Sequence, residues 1–178
     1  MASSIHPPSS SDATRAWRVF YTRARAEKKC EERLEQRAIE VLLPKRVVKR
    51  RWSDRNKLIV QPLFRNYIFA NVNEKERLST LRVNGIVRCV TFEGQPAILH
   101  PEEADRLQML AKAPERVRAA EMRPDIGTTV TLTDGPLKGL TGDVTQHRGH
   151  YSLYVRITSI QQGVHVEIPA EWVTEVSS

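Results

Sequence analysis

The densest apolar run of the chain is Tyr67-Ile68-Phe69-Ala70, with Val72 beyond Asn71, and its side chains alternate as in a strand. Tyr67 and Phe69 share one face, and Ile68 and Ala70 take the other. Both faces are apolar. That predicts either a central strand covered on both sides, or a strand with one covered face and an aromatic face offered to a partner. Pro62 keeps the chain ahead of it extended. The run Trp17-Arg18-Val19-Phe20-Tyr21-Thr22 has the same period, with Trp17, Val19 and Tyr21 on one side, and is the expected neighbour. Between the two runs the period lengthens: Ala26, Cys30, Leu34, Ala38 and Val41 recur every three or four residues, predicting one amphipathic helix that starts near Ala24 and is stopped by Pro44.

After the central strand, Asn73 suits a helix N-cap and Glu76 lies three residues on, an approximate capping box. Leu78 and Leu81 form the inner face, and Asn84-Gly85 is the stop. Ile86 to Phe92 reads as a strand, followed by a turn at Gly94-Gln95-Pro96. His100-Pro101-Glu102-Glu103 opens another helix, with proline in the first turn and a buried stripe of Ala104, Leu107, Leu110 and Ala111. Residues 113–124 carry no apolar stripe and are expected to be a linker. Beyond them the helical period is gone. Val130 and Leu132, then Val144, then Leu153, Val155 and Ile157, then Val164, Val166 and Ile168, then Trp172 and Val173 mark short strands separated by turn residues. An open sheet of such strands would leave edges exposed, so a small closed barrel is expected over 125–178, following a mixed α/β domain over 16–112.

Charge sharpens this division. The net charge of +7 is the balance of +10 over residues 1–124 and −3 over 125–178, so only the first part suits a polyanion. The strongest electrostatic signal is the segment from Leu43 to Leu58, a hairpin with a turn at Ser53-Asp54-Arg55-Asn56. It holds Lys45, Arg46, Lys49, Arg50, Arg51, Arg55 and Lys57 against Asp54 alone. Trp52 could stack on a base there, although capping a small core is the commoner use of a lone tryptophan in a hairpin. A second basic group, Arg23, Arg25, Lys28, Lys29, Arg33 and Arg37, gathers around the start and solvent side of the first helix. Cations at a helix N-terminus oppose its dipole and call for a reason other than helix stability.

Candidate chemistry is sparse. Cys30 and Cys89 stand outside any CxxC or Cys/His pattern, so no metal and no disulfide scaffold are expected. The five histidines are scattered, and GxSxG and P-loop patterns are absent, which argues against an enzyme and against a cofactor. The Ser/Pro-rich residues 1–15 form a loose tail without the features of a signal peptide, and no apolar run is long enough to span a bilayer. A cytoplasmic, monomeric binding protein is the expectation.

In order, the Trp-x-Val-x-Tyr strand, the basic helix ending in Leu-Pro, PLFRNYIFANV, GIVRCVTF followed by GQPA, and GPLKGLTGDV resemble the NusG family of transcription elongation factors from Trp17 to Val176. The RWSDR run and the GQPA turn are more similar to its specialised paralogues, RfaH and the antiterminators of capsular-polysaccharide operons. The resemblance implies an α+β fold: an antiparallel sheet flanked by helices, then an SH3-like barrel carrying the KOW motif at Asp134 to Val144. It implies an amino-terminal domain that docks on the clamp helices of RNA polymerase through Tyr21, Tyr67, Phe69 and Phe92 and bridges the DNA cleft. It places Arg23, Arg25, Lys29 and Arg33 against the non-template DNA strand; Arg50 and Arg51 are expected as further nucleic-acid contacts from the charge of the hairpin. Leu78 to Thr80 fall near the opposite side of the cleft. Ile160 stands where housekeeping members carry an aromatic contact to a ribosomal protein or to the termination factor Rho, and Arg65 stands where most members have proline. The function implied is elongation or antitermination. The rival is a KOW-containing RNA-binding or ribosome-associated protein.

Overall fold

The computed structural model describes residues 14–53, 55–121, 127–147 and 150–174. The chain divides into two compact units, Met1–Leu42 with Asn66–Leu99, and Leu43–Arg65 with His100–Ser178. The second unit thus takes the basic hairpin and the last helix, both of which the sequence reading had assigned to a domain over 16–112.

In the first unit, β1 (Ala16–Thr22) lies antiparallel to β5 (Tyr67–Val72) in the register Val19 to Phe69 and Tyr21 to Tyr67. The sheet continues to β2 (Glu40–Leu42) beside β5 and to β6 (Ile86–Cys89) beside β1. Ile68, Phe69 and Ala70 are all fully buried, so the doubly apolar strand is a central strand covered on both faces. A two-residue pair, β7 (Thr91–Phe92) and β8 (Gln95–Pro96), follows β6 where one continuous strand was expected.

The first helix, α1, is shorter than its periodicity predicts, running only from Glu27 to Glu35. Arg25 ahead of it and Ala38 after it both have positive φ, +62° and +58°, which a helix cannot accommodate. Val41 then serves the sheet, paired with Ala70. The second helix, α2 (Glu74–Leu81), begins with the expected capping box: the Asn73 side chain accepts from the Glu76 N–H at 2.8 Å, and Glu76 accepts from the Asn73 N–H at 3.0 Å.

In the second unit, β3 (Lys45–Arg51) and β4 (Asn56–Pro62) form the expected hairpin as a sheet of their own. The third helix, α3 (Pro101–Leu110), has Pro101 in its first turn and buries Ala104, Leu107 and Leu110. The remaining strands form one antiparallel sheet. Its order is β14 (Val173–Thr174), β10 (Thr129–Leu132), β11 (Thr141–His147), β12 (His150–Ile157), β13 (Gln162–Ile168), β9 (Val117–Glu121). Among the described residues the strands run in an order of six whose two ends do not pair with each other, so the structure shows the sheet of the expected module without its closure. And the predicted linker contains a strand: β9 pairs with β13 from Val117–Val166 to Glu121–Gln162, protecting an edge that the sequence reading had left to barrel closure. The buried Tyr154 hydroxyl donates to the Glu121 carbonyl at 2.8 Å and fastens the strand's far end. The tail over residues 1–15 lies outside the described residues apart from its last two.

Candidate nucleic-acid and protein interface

Across three strands of the first unit, register partners form a row. Tyr67 of β5 faces Tyr21 of β1, and Tyr21 faces Arg88 of β6. The tyrosine rings meet edge to face, with centroids 5.5 Å apart and planes at 83°, and the Arg88 guanidinium lies 5.4 Å from the Tyr21 centroid. Such edge-to-face and cation–π contacts hold the rings in place while both tyrosines remain half-exposed.

The end of the sheet that carries this row is locked by a buried acid. Glu27, at the start of α1, accepts from the Asn66 N–H at 2.8 Å. Asn66 sits at φ +66°, its side chain donates to the Thr22 carbonyl at 3.0 Å, and the Thr22 N–H donates back to the Asn66 carbonyl at 2.8 Å. Asparagine tolerates this left-handed geometry, so the turn needs no glycine. Sequence reasoning missed Glu27 and Arg88, although alternation along Ile86–Cys89 could have placed Arg88 on the aromatic face.

The other two expected members of the aromatic set separate from the tyrosines. Phe69 is fully buried two residues further along β5, which excludes it from any surface in this conformation. Phe92 stands on the separate β7–β8 pair and is 71% exposed.

Of the basic residues, Arg23, Arg25 and Lys29 are exposed on the approach to α1 and its first turns. Arg33 is half-buried and donates to the Asn84 carbonyl. Arg50 and Arg51 belong to the second unit, exposed near the end of β3. Trp52 follows them at 59% exposure, so the core-capping role is corrected: every described residue around the hairpin tip is exposed. Ile160 ends a short 3-10 turn, Thr158–Ile160, and is only 6% exposed. That turn is held by a buried carboxylate, since Glu103 of α3 accepts from the N–H of Thr158 at 2.6 Å and of Ser159 at 3.3 Å.

Burial pushes the thiols of Cys30 and Cys89 above their ordinary range, which leaves them protonated and unreactive at neutral pH. Among the described residues no group of three or more His, Cys, Asp or Glu could hold a metal ion. No helix among them is long and apolar enough to cross a membrane.

A family model described as transcription termination factor nusG matches residues 15–108, just over half of the chain. The chain belongs to the NusG family. A solved structure titled "Domain interaction in Thermotoga maritima NusG" shares the fold, with a TM-score of 0.56, 18% identity, and coverage of 92% of this chain and 98% of that one. No curated protein matches in sequence. The family match contains the whole Tyr21–Tyr67–Arg88 row as well as the hairpin and nearly all of α3.

Proposed function

We propose that this NusG-family chain is a transcription elongation or antitermination factor that works by binding alone. Its first unit docks on the clamp helices of RNA polymerase, and its basic residues lie along the DNA cleft. The single observation that carries the reading is the Tyr21–Tyr67–Arg88 row: two half-exposed aromatic rings, preorganised by their neighbours on a rigid sheet, of the residue types that dominate protein interfaces. Phe69 acts from inside, anchoring the strand that presents Tyr67, and exposed Phe92, on the separate β7–β8 pair, offers a further aromatic contact of its own. In the first unit, Arg23, Arg25, Lys29 and Arg33 supply positive charge for the non-template strand; in the second unit, Arg50 and Arg51 on the hairpin are nucleic-acid contacts in their own right. Bound across the cleft, the protein favours the closed clamp to the extent that it binds that state more tightly than the open one, which suppresses pausing. The RWSDR and GQPA segments support a specialised paralogue serving particular operons. Residues 125–178 serve as a KOW-type module, with Ile160 directed toward a ribosomal protein or Rho once its turn is released.

Co-elution with purified RNA polymerase tests the docking surface. Replacing both tyrosines, Tyr21→Ala with Tyr67→Ala, removes two interface anchors worth about 2 kcal/mol each, so affinity should fall by more than about 100-fold. A double variant that folds and binds polymerase as tightly as the parent chain would discard the row as the docking surface.

A further inference from the structure

The short helix α2 ends without a cation of its own. Its last turn carries no basic residue, although the carbonyls at a helix C-terminus favour positive charge. The cations come from α1 instead. Arg33, in the last turn of α1, donates to the Asn84 carbonyl just beyond α2, and Arg37 reaches the Ser79 carbonyl more weakly at 3.5 Å. A further tie comes from ahead of α1, where the Arg23 N–H donates to the Gly85 carbonyl at 2.8 Å.

Gly85 lets this loop come close to α1. It sits at φ +106°, and a Cβ there would lie 2.6 Å from the Cys30 Sγ and 3.3 Å from the Ala26 Cβ, so only glycine suits both the conformation and the space. The chain then turns directly into β6, which carries Arg88 over the Tyr21 ring. Arg33 therefore grips the backbone four residues ahead of a member of the tyrosine row. As a phosphate contact alone it would be better left free, like Arg23, Arg25 and Lys29, which are exposed. Arg33 is half-buried, with one N–H group committed to a carbonyl, and its guanidinium has further N–H groups with which to face outward.

We propose that Arg33 is a positioning residue. Through the Asn84 carbonyl it fixes α1, and with it the exposed cations Arg23, Arg25 and Lys29, against the strand that presents Arg88. A chain docked by the tyrosine row then meets the DNA with those cations already in place. This inference rests on the functional reading above and deepens it. What it adds is the residue that sets the geometry between the docking row and the charged helix, both within the first unit.

The test uses the full chain, purified RNA polymerase and a long template, with pausing followed over a range of protein concentrations. The half-effect concentration reports docking, and the pause suppression at saturation reports how well the docked chain engages the DNA. Arg33→Ala should cut the saturating effect by about half or more while moving the half-effect concentration by no more than about threefold, because the tyrosine anchors are intact. Arg33→Lys keeps the charge and loses the planar fork. Its DNA binding should keep the parent slope of log affinity on log salt, yet its saturating effect should stay low, whereas a simple phosphate contact would be rescued by lysine. In the free chain the amides of Arg82, Val83 and Ile86 should exchange about tenfold faster in both variants, with β1–β5 amides at parent rates to show that each variant is folded. The role is overturned if Arg33→Lys suppresses pausing as the parent chain does, if Arg33→Ala changes only the half-effect concentration, or if the three amides keep their parent rates. A parent chain without effect on pausing at any concentration sinks the functional reading and this inference with it. A parent chain that suppresses pausing beside an equally active Arg33→Lys variant sinks this inference alone.

Discussion

Replacing Glu103 by alanine should free the turn that holds Ile160. The Glu103 carboxylate is buried in the first turn of α3, where it accepts from the Thr158 N–H at 2.6 Å and, more weakly, from the Ser159 N–H at 3.3 Å. Hydrogen bonds to a charged group contribute about 1.5–3 kcal/mol each, and the longer contact belongs at or below the bottom of that range. Against this stands the other carboxylate oxygen, buried without a hydrogen-bond partner among the described residues, which already costs part of the gain. The net loss on Glu103→Ala is about 2 kcal/mol, with a contribution from the lost negative charge at the helix N-terminus. Native-state hydrogen exchange is the direct assay. The amides of Thr158 and Ser159 should exchange about 30-fold faster, while amides in the β1–β5 pair keep their parent rates. Thermal unfolding of a chain this size should shift downward by about 4–8 °C. Glu103→Gln keeps an acceptor but loses the charge, and should show about half the effect. If the two amides of the alanine variant exchange at the parent rate, the carboxylate does not hold the turn, and the account of Ile160's burial fails.

Gly163→Ala should detach β9. A methyl group at Gly163 would lie 2.3 Å from the Tyr154 hydroxyl oxygen, the group that donates to Glu121, and overpacking of this kind costs about 1–3 kcal/mol; a melt and the protection of the 117–121 amides read it. Cys30 and Cys89 should resist alkylation in the native chain at neutral pH and react fully once denatured, because burial raises both thiols; rapid native labelling of either would contradict this. The hydrogen bond from Arg77 holds the Glu74 carboxyl below its ordinary range. The folded chain therefore binds fewer protons there than the unfolded chain, and the contribution of Glu74 is present above the unfolded value and lost as pH falls through the folded one. Because Glu74 is more than a third exposed, the effect is small, and Glu74→Gln should slightly flatten the acid limb of the stability profile.

Strand existence and faces were legible wherever alternation was strong. Tyr67–Val72 and its antiparallel partner are where period two puts them, and the Asn73 capping box and the Pro101 helix start follow from local chemistry alone. The misreadings share a cause, in that tertiary pairing decided what local pattern left degenerate. Ala38 and Val41 fit a helical stripe, yet Val41 gains more as the partner of Ala70 in the sheet, and an alanine at positive φ gives no sequence signal. Val117–Glu121 lacks a stripe because only its pairing to β13 and the Tyr154 hydroxyl fix it, and neither is visible without the fold. The aromatic set was half legible. Alternation correctly put Tyr67 and Phe69 on one face, but which residue along that face reaches solvent depends on what packs over it, and Phe69 is buried where Tyr67 is not. Trp52 was misjudged by weighting the commoner use of tryptophan over its five cationic neighbours.

The central claim, that the Tyr21–Tyr67 row makes this chain a polymerase-bound elongation factor, is tested most directly by transcription of a long template with purified RNA polymerase. Pause lifetimes and readthrough would be measured with the parent chain and with the Tyr21→Ala, Tyr67→Ala double variant. The parent chain should shorten pauses and raise readthrough, and the folded double variant should leave both at the level of polymerase alone. Equal activity of the two proteins, or no effect of the parent chain on elongation, would contradict the account.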